Sequence, residues 1–127
     1  MDPRLRGDEK RGKMKKRTHQ FGILAEKIVL WFLRCKGYEI LFWRYKTYFG
    51  EIDIVAKKGK LIAFVEVKAR KTVVSIEEIL QPKQVDRIKK AAEFFLMKHP
   101  QFRKCDLRFD FVMVNRFFVL KHFKGFW

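Results

Sequence analysis

Apolar side chains recur every three or four residues in two stretches of the chain. The first covers residues 21–35 and is followed by Gly37, a residue that commonly ends a helix. The second starts at Pro82, which suits the first turn of a helix, and stops near Pro100. The apolar positions of the second stretch are Val85, Ile88, Ala92, Phe95 and Leu96. Both patterns predict a helix that buries one face.

Segments rich in β-branched and aromatic residues predict five strands. Three follow the first helix, at residues 38–44, 51–57 and 60–69, and two follow the second helix, at 107–114 and 117–123. Lys58-Gly59 is predicted to form the tight turn between the second and third strands. The order αβββαββ predicts an α/β (α+β) fold, in which helices flank a central mixed sheet.

The beginning of the chain differs in composition from the rest. Residues 1–20 contain eight Lys or Arg, three Asp or Glu and almost no apolar side chains. We therefore predict a flexible basic arm over residues 1–18 and one domain over residues 19–127. After residue 20 the chain still holds 22 basic and 11 acidic residues, so +11 of the total formal charge of +16 belongs to the domain.

This charge favours nucleic acid as the partner. An acidic membrane surface is the second candidate, although the longest nearly uncharged run, residues 28–33, is far shorter than the roughly 20 residues that a spanning helix needs. No transmembrane segment is therefore expected. The start of the chain does not have the pattern of an export signal, and the cysteines Cys35 and Cys105 lack the spacing of a zinc site. These features favour a cytoplasmic protein without structural zinc.

Acidic residues and a lysine occupy the second and third predicted strands. Because side chains alternate between faces, Asp53 shares a face of one strand, and Glu66 and Lys68 share a face of the next. The other face of the second strand is apolar and is predicted to carry Ile52, Ile54 and Ala56. With the turn at Lys58-Gly59, Asp53 is predicted to lie opposite Phe64 and diagonal to Glu66. The two carboxylates are then within reach of one ion, whereas a slip by one residue would move Asp53 across the sheet.

Two carboxylates on one side of an apolar hairpin repel each other and resist desolvation. A hard divalent cation such as Mg²⁺ or Mn²⁺ removes that cost, because it binds carboxylate and phosphate oxygens and lowers the pKa of a bound water. A neighbouring lysine can orient that water or stabilise charge that develops on a phosphate. The set therefore suits metal-assisted hydrolysis of phosphodiesters.

Asp53 followed by Glu66-Val-Lys68 resembles the active-site signature of the PD-(D/E)xK nuclease superfamily, with Ile52 in the proline position. Over residues 19–127 the sequence is similar to the small bacterial YraN-like proteins of endonuclease-like fold. The motifs that carry this similarity are Ala25-Glu26, Gly37-Tyr38-Glu-Ile-Leu41, Gly50-Glu-Ile-Asp53, Phe64-Val-Glu-Val-Lys-Ala-Arg70, Lys83-Gln84 and Arg108-Phe-Asp110. Residues 43–46 depart from the family pattern, since they read Trp-Arg-Tyr-Lys where more polar residues are usual.

The resemblance implies a restriction-endonuclease-like core and a role for each matching residue. Asp53 and Glu66 would be metal ligands, and Lys68 the catalytic lysine. Glu26 would be the acid on a helix that the similar archaeal Holliday junction resolvases place beside the metal. As an isolated motif, Glu-x-Lys on a strand is more often a surface ion pair. The catalytic interpretation of Glu66 and Lys68 therefore requires Asp53 and the wider similarity.

Further residues are candidates for contact with nucleic acid. Lys83, Arg87 and Lys90 lie on one face of the second predicted helix, where they suit a row of phosphates. Arg70 and Gln84 are additional candidates, the glutamine for a base or for the site. Ordinary solvated surface is the common alternative for all of these side chains.

We interpret the sequence as that of a cytoplasmic, metal-dependent nuclease-like protein that acts on branched or otherwise structured DNA. The preference for DNA over RNA, and for branched substrates, comes from the resemblance alone. One alternative is a nucleic-acid-binding protein that keeps the nuclease fold without catalysis. Another is a basic scaffold for an acidic protein or membrane. Cutting at a junction needs two symmetric sites, which would favour a homodimer.

Overall fold

The computed structural model describes the backbone of residues 3–70 and 81–125, with side chains from His19 onward within those ranges. Its helices and strands are α1 (Pro3–Cys35), β1 (Glu39–Thr47), β2 (Gly50–Lys58), β3 (Leu61–Ala69), α2 (Pro82–Lys98), β4 (Asp106–Val114) and β5 (Leu120–Phe123). A short 3-10 turn, Pro100–Phe102, follows α2. The predicted order αβββαββ is confirmed in the described part of the chain.

The strands form a five-stranded mixed sheet in the order β1-β2-β3-β4-β5. Neighbouring strands are antiparallel except for β3 and β4, which are parallel. A parallel pair needs a long crossover connection, and α2 lies within that connection. The fold is the α+β arrangement of a mixed sheet flanked by helices that the sequence predicts.

Each helix covers one face of the sheet with a separate apolar layer. The layer beneath α1 contains the buried residues Ala25, Val29, Leu30, Leu33, Tyr38, Ile54, Ala56, Ala63, Val65, Val112 and Val114. The layer beneath α2 contains the buried residues Ile52, Val55, Ile62, Phe64, Ala91, Ala92 and Phe95. The strands between these layers are shielded on both faces, so a polar side chain there needs a specific partner.

The first helix and the last strand are among the elements whose boundaries differ from the predictions. The first helix begins at Pro3, well before the predicted start at residue 21. The division into an arm and a domain at residue 18 stays a prediction, because the side chains before His19 lie outside the described residues. Strand β5 begins at Leu120 and not at Phe117, because the Asn115 side chain accepts hydrogen bonds from the backbone amides of Phe117 and Val119 and so forms a loop.

The predicted turn between β2 and β3 is displaced by one residue. Lys58 pairs with Leu61, so the turn residues are Gly59 and Lys60. Gly59 has a φ of 60°, which a glycine adopts without steric cost. The expected pairing of Asp53 with Phe64 is therefore wrong, since Phe64 pairs with Val55. The register differs from the predicted one by two residues, an even shift.

A polar cluster joins β4, β5 and the end of α1. Asp110 is fully buried in β4, and its carboxylate accepts hydrogen bonds from Arg108 Nε at 2.7 Å and from His122 Nε2 at 2.8 Å. A second nitrogen of Arg108 donates to the carboxylate at 2.7 Å, and the backbone amide of Gly125 donates at 3.0 Å. Arg108 also donates to the hydroxyl of Tyr38. Although burial alone would raise the pKa of Asp110, the bonds from His122, Arg108 and Gly125 lower it to about 2.

This cluster leads to a prediction about stability. Asp110→Asn should lower the free energy of unfolding by about 3 kcal/mol, because it removes the charge from a buried, fully hydrogen-bonded pair. The folded-state pKa is lowered from 3.8 to about 2, so the stabilisation by Asp110 is present above pH about 4 and is lost as the pH falls through about 2. Urea denaturation across the acid range measures both effects.

Asp106→Asn is the matched control, since Asp106 is an exposed aspartate at the start of the same strand. That variant should unfold like the wild type. Equal stability of the two variants at neutral pH would contradict the proposed role of Asp110.

Candidate functional site

The side chains of strand β2 stop alternating regularly between the two faces of the sheet at Asp53. Ile54 and Ala56 pack in the layer beneath α1, as predicted, but Ile52 packs with Val55 in the layer beneath α2. The predicted placement of Ile52 on the face of Ile54 is therefore wrong. Since strict alternation would keep these two residues on one face, the strand is distorted between them, at Asp53.

Strand β1 is distorted at the corresponding point. Trp43 pairs with Ile54 and Tyr45 pairs with Ile52, which leaves Arg44 level with Asp53. Arg44 has a φ of 57°, in the left-handed region that side chains other than glycine rarely adopt. Such a conformation costs roughly 1 kcal/mol or more and persists only where the surroundings hold it.

The ladder between β2 and β3 ends beside these distortions. Its pairs run from Lys58 and Leu61 to Ile54 and Val65. Beyond the last pair, the backbone amide of Val67 donates to Asp53 Oδ2 at 2.8 Å. The carboxylate therefore takes the place of a backbone acceptor. It lies close to Glu66, whose charge acts on it, but the predicted diagonal placement rested on a register that the structure does not have.

Glu66 is buried, and two side chains hold one of its oxygens. Gln84 Nε2, from the first turn of α2, donates to Glu66 Oε1 at 2.7 Å. Lys68 Nζ lies 3.2 Å from the same oxygen. The structure thus brings Gln84 to the carboxylates, where the sequence left open a base contact, a site contact or plain surface. Lys68 lies with Glu66, as alternation along β3 predicts.

The two carboxylates titrate abnormally. Burial raises the pKa of Asp53 to about 8; the charge of Glu66 adds to this effect and the hydrogen bond from Val67 opposes it. Burial also raises the pKa of Glu66, although the attraction of Lys68 opposes that shift. Two adjacent acids that are largely withdrawn from water disfavour double ionisation.

Glu26 reaches this region from α1 but is paired with basic and aromatic side chains. Its Oε2 accepts hydrogen bonds from Arg44 Nε at 2.8 Å and from Trp43 Nε1 at 3.2 Å. Its charge also contributes to the raised pKa of Asp53. Sequence reasoning missed both partners of Glu26, although the unusual Trp-Arg-Tyr-Lys segment was the available signal. Ligation of a metal by Glu26 stays a prediction.

A cavity of about 150 Å³ opens at Glu66, the one member of the carboxylate pair that lines it. It is lined by Gly50, Glu51, Glu66, Gln84, Arg87 and Ile88. A wider hollow adjoins it and shares Gln84 and Arg87 while adding Gln81, Pro82 and Lys83. On the α2 side the cavity is therefore bounded by one cationic side chain, that of Arg87, and a second, that of Lys83, lines the adjoining hollow.

The remaining candidate contacts lie farther from the carboxylates. Lys90 is exposed and pairs with Asp86 at 3.2 Å, one turn away on α2. Arg70 is exposed at the end of β3 and donates to the carbonyl of Ala69. The structure thus places Arg87 and Gln84 at the cavity and Lys83 beside it, while Lys90 and Arg70 do not line it.

Two general findings bear on the site. Among residues whose side chains are described, no group of three or more His, Cys, Asp or Glu is arranged to hold a metal ion. Two close carboxylates, Asp53 and Glu66, are present. Within the described ranges, no helix combines the length and the apolar character needed to cross a bilayer.

Comparison with protein families matches residues 25–114 to a group described as uncharacterised protein family UPF0102. The chain belongs to the UPF0102 family. The matched range includes Glu26, Asp53, Glu66, Lys68 and Gln84, so the whole carboxylate site lies in the part that defines the family. Membership of the UPF0102 family does not by itself assign a reaction to the protein.

Individual UPF0102 relatives cover most of the chain. One from Rhodopseudomonas palustris (strain BisB5) is 50% identical over 95 residues, which are 75% of this chain and 72% of the relative. One from Bartonella tribocorum is 35% identical over 114 residues, 90% of this chain and 88% of the relative. One from Ehrlichia chaffeensis is 45% identical over 89 residues, 70% of this chain and 71% of the relative. This UPF0102 chain is thus similar to these relatives over most of their length.

The raised pKa of Asp53 predicts an unusual dependence of stability on pH. Because the folded-state pKa rises from 3.8 to about 8, the full stability is present below pH about 4 and is lost as the pH rises through about 8. The variant Asp53→Asn has no carboxyl group to ionise at this position, so it should not lose this stability as the pH rises. The variant should match the wild type near pH 4 and be more stable above pH about 8, as measured by urea denaturation.

Glu51→Gln serves as the control for that measurement, because Glu51 is an exposed acid on the same strand. Its difference from the wild type should not grow with pH. A constant stability difference between Asp53→Asn and the wild type across the range would show that Asp53 titrates normally.

Proposed function

We propose that this UPF0102 protein is a metal-dependent nuclease that hydrolyses phosphodiester bonds in DNA. The observation that carries the proposal is the pair of half-buried Asp53 and buried Glu66, with Lys68 Nζ 3.2 Å from Glu66 Oε1, beside a cavity. Such a pair is unfavourable for the fold alone, and strongly shifted carboxyl groups in a cavity are typical of functional sites.

The carboxylates fit a hard divalent cation. Both are oxygen donors, both are largely withdrawn from water, and burial and mutual repulsion raise the pKa of Asp53 to about 8. A cation would relieve that repulsion, so Asp53 and Glu66 would hold Mg²⁺ or Mn²⁺. When bound, the cation would supply Lewis-acid activation of the phosphate and of a water molecule.

The surrounding side chains have roles that follow from their contacts. The Val67 amide holds Asp53 Oδ2, and Gln84 and Lys68 hold Glu66 Oε1, so both carboxylates are fixed before a substrate arrives. The ammonium group of Lys68 would stabilise the negative charge that develops on the phosphate. Glu26 would contribute a further oxygen, with its Oε2 held by Arg44 and Trp43.

The charge of the domain supports a nucleic acid substrate. After residue 20 the net charge is +11, and Arg87 and Lys83 lie at or beside the cavity on the exposed face of α2. Cations beside a phosphate-cleaving centre would hold the flanking phosphates. Support for DNA, for branched or structured substrates and for a dimer comes from the resemblance to nucleases and junction resolvases.

A non-catalytic nucleic-acid-binding protein is the second candidate. The observation that favours it is the pairing of Glu26 with Arg44 and Trp43, which occupies the third acid of the site. In that case Asp53→Asn should leave nucleic acid affinity unchanged or improve it, because it removes negative charge near the phosphates, and no variant should alter cleavage.

Cleavage assays test the proposal directly. Linear, nicked, single-stranded and four-way DNA are incubated with Mg²⁺ or Mn²⁺ and with wild type, Asp53→Asn, Glu66→Gln or Lys68→Ala. Loss of a ligand or of the catalytic lysine should lower the rate by about 100-fold or more, which corresponds to roughly 2.7 kcal/mol of transition-state stabilisation. Chelation of the metal should abolish cutting.

Asp106→Asn is again the matched control, since this exposed aspartate pairs with Leu61 at the far end of β3 from Lys68. It should cut like the wild type. Equal residual cutting by all the proteins would identify a contaminating nuclease and refute the proposal.

A further inference from the structure

The turn between β1 and β2 carries two exposed aromatic side chains. It consists of Tyr48 and Phe49, of which Tyr48 is 91% exposed and Phe49 41% exposed. Their ring centroids are 5.5 Å apart and the rings are almost perpendicular. Tyr48 therefore presents its ring to solvent, with Phe49 packed against it.

This turn is not explained by the needs of the hairpin. Two-residue hairpin turns favour Asn, Asp and Gly, and an exposed tyrosine contributes little buried apolar area. Thr47 fixes the turn, because its hydroxyl donates to the carbonyl of Gly50 at 2.6 Å and accepts from the amide of Phe49 at 3.1 Å. The two exposed aromatic residues thus lie in a turn whose backbone conformation is fixed by hydrogen bonds.

The turn stands beside the carboxylate cavity. Gly50, the first residue after the turn, lines that cavity together with Glu66 and Arg87. Phe49 lines a separate hollow of about 390 Å³ along α2, whose other lining residues are Lys90, Glu93, Phe94 and Met97. The aromatic turn therefore separates two hollows that lie along one helix.

The spacing fits a strand of nucleic acid. Tyr48 is two residues from Gly50, at most about 7 Å of chain, and stacked bases of one strand rise by about 3.4 Å each. A base close to a phosphate in the cavity would thus be near the ring. Aromatic side chains beside cationic ones are the usual platform for single strands, whereas a base within a duplex is already stacked on its neighbours.

We propose that Tyr48 stacks on an unpaired base next to the phosphate held in the cavity, and so directs the site to strands with unpaired nucleotides. The substrate class is DNA interrupted by a flap, branch or single-stranded end, in preference to continuous duplex. The inference rests on the proposed function, since the cavity determines where the strand passes the turn. Tyr48 is a specificity-determining residue in this arrangement.

Binding measurements without cleavage test this inference. The probes are a continuous duplex and a flapped duplex that carries 2-aminopurine at its first unpaired position, both in EDTA. The wild type should quench the fluorescence of the flapped probe. Tyr48→Ala should abolish quenching and weaken binding of the flap by about fivefold or more, while binding of the continuous duplex should change by less than about twofold. Tyr48→Phe keeps a ring and should retain quenching.

Trp31→Ala is the matched control, because Trp31 is a 70% exposed aromatic residue on α1, which covers the opposite face of the sheet. It should bind both probes like the wild type. Equal weakening of both probes by Tyr48→Ala, or no weakening of either, would overturn the inference. Sedimentation of Tyr48→Ala checks for a contact between copies, and dissociation of a dimer with unchanged binding would also overturn it.

Cleavage of the same two probes with Mn²⁺ separates this inference from the proposed function. Quenching that depends on Tyr48, in a protein that cuts neither probe, would support stacking and refute hydrolysis. Cutting with the same preference in Tyr48→Ala and in the wild type would support hydrolysis and overturn the role of Tyr48.

Discussion

The end of the β2–β3 ladder is the constraint on which the site depends. After Ile54 and Val65 the strands no longer pair, and the amide of Val67 needs another acceptor because a buried amide without a partner is costly. Asp53 supplies its carboxylate at 2.8 Å. The contact that completes the backbone hydrogen bonding therefore also fixes Asp53 beside Glu66, and the fold and the site share one interaction.

The fully buried Asp110 and the half-buried Asp53 show how partners decide the role of a carboxylate. Asp110 lies among Arg108, His122 and the amide of Gly125, which lower its pKa to about 2 despite burial. Asp53 lies near Glu66 and Glu26, and its pKa rises to about 8. The first arrangement stabilises the charged form within the protein, whereas the second favours an added proton or cation. This contrast separates a structural cluster from a candidate site.

Helix α2 connects the sheet, the carboxylates and the proposed substrate path. Its buried residues Ala92 and Phe95 pack on the sheet, its first turn delivers Gln84 to Glu66, and its exposed Arg87 borders the cavity. A single rigid element thus carries packing, positioning and charge. The aromatic turn of β1 and β2 completes the surface from the other side, since Gly50 and Phe49 line the hollows along this helix.

The sequence by itself determined the order of elements, the buried face of α2 and the proximity of Asp53 and Glu66, because burial follows the local periods of helix and strand. The buried face of α1 was not determined in this way, since Val29, Leu30 and Leu33 are buried while Leu24 and Cys35 are exposed. The tertiary structure alone decided the turn at Gly59, the pairing of Glu26 with Arg44 and the contact of Gln84 with Glu66. The left-handed conformation of Arg44, whose side chain pairs with Glu26 on α1, and the placement of Ile52 in the layer beneath α2 also appear only in the tertiary structure. Periodicity records whether a residue is buried, but its partner depends on how distant segments pack.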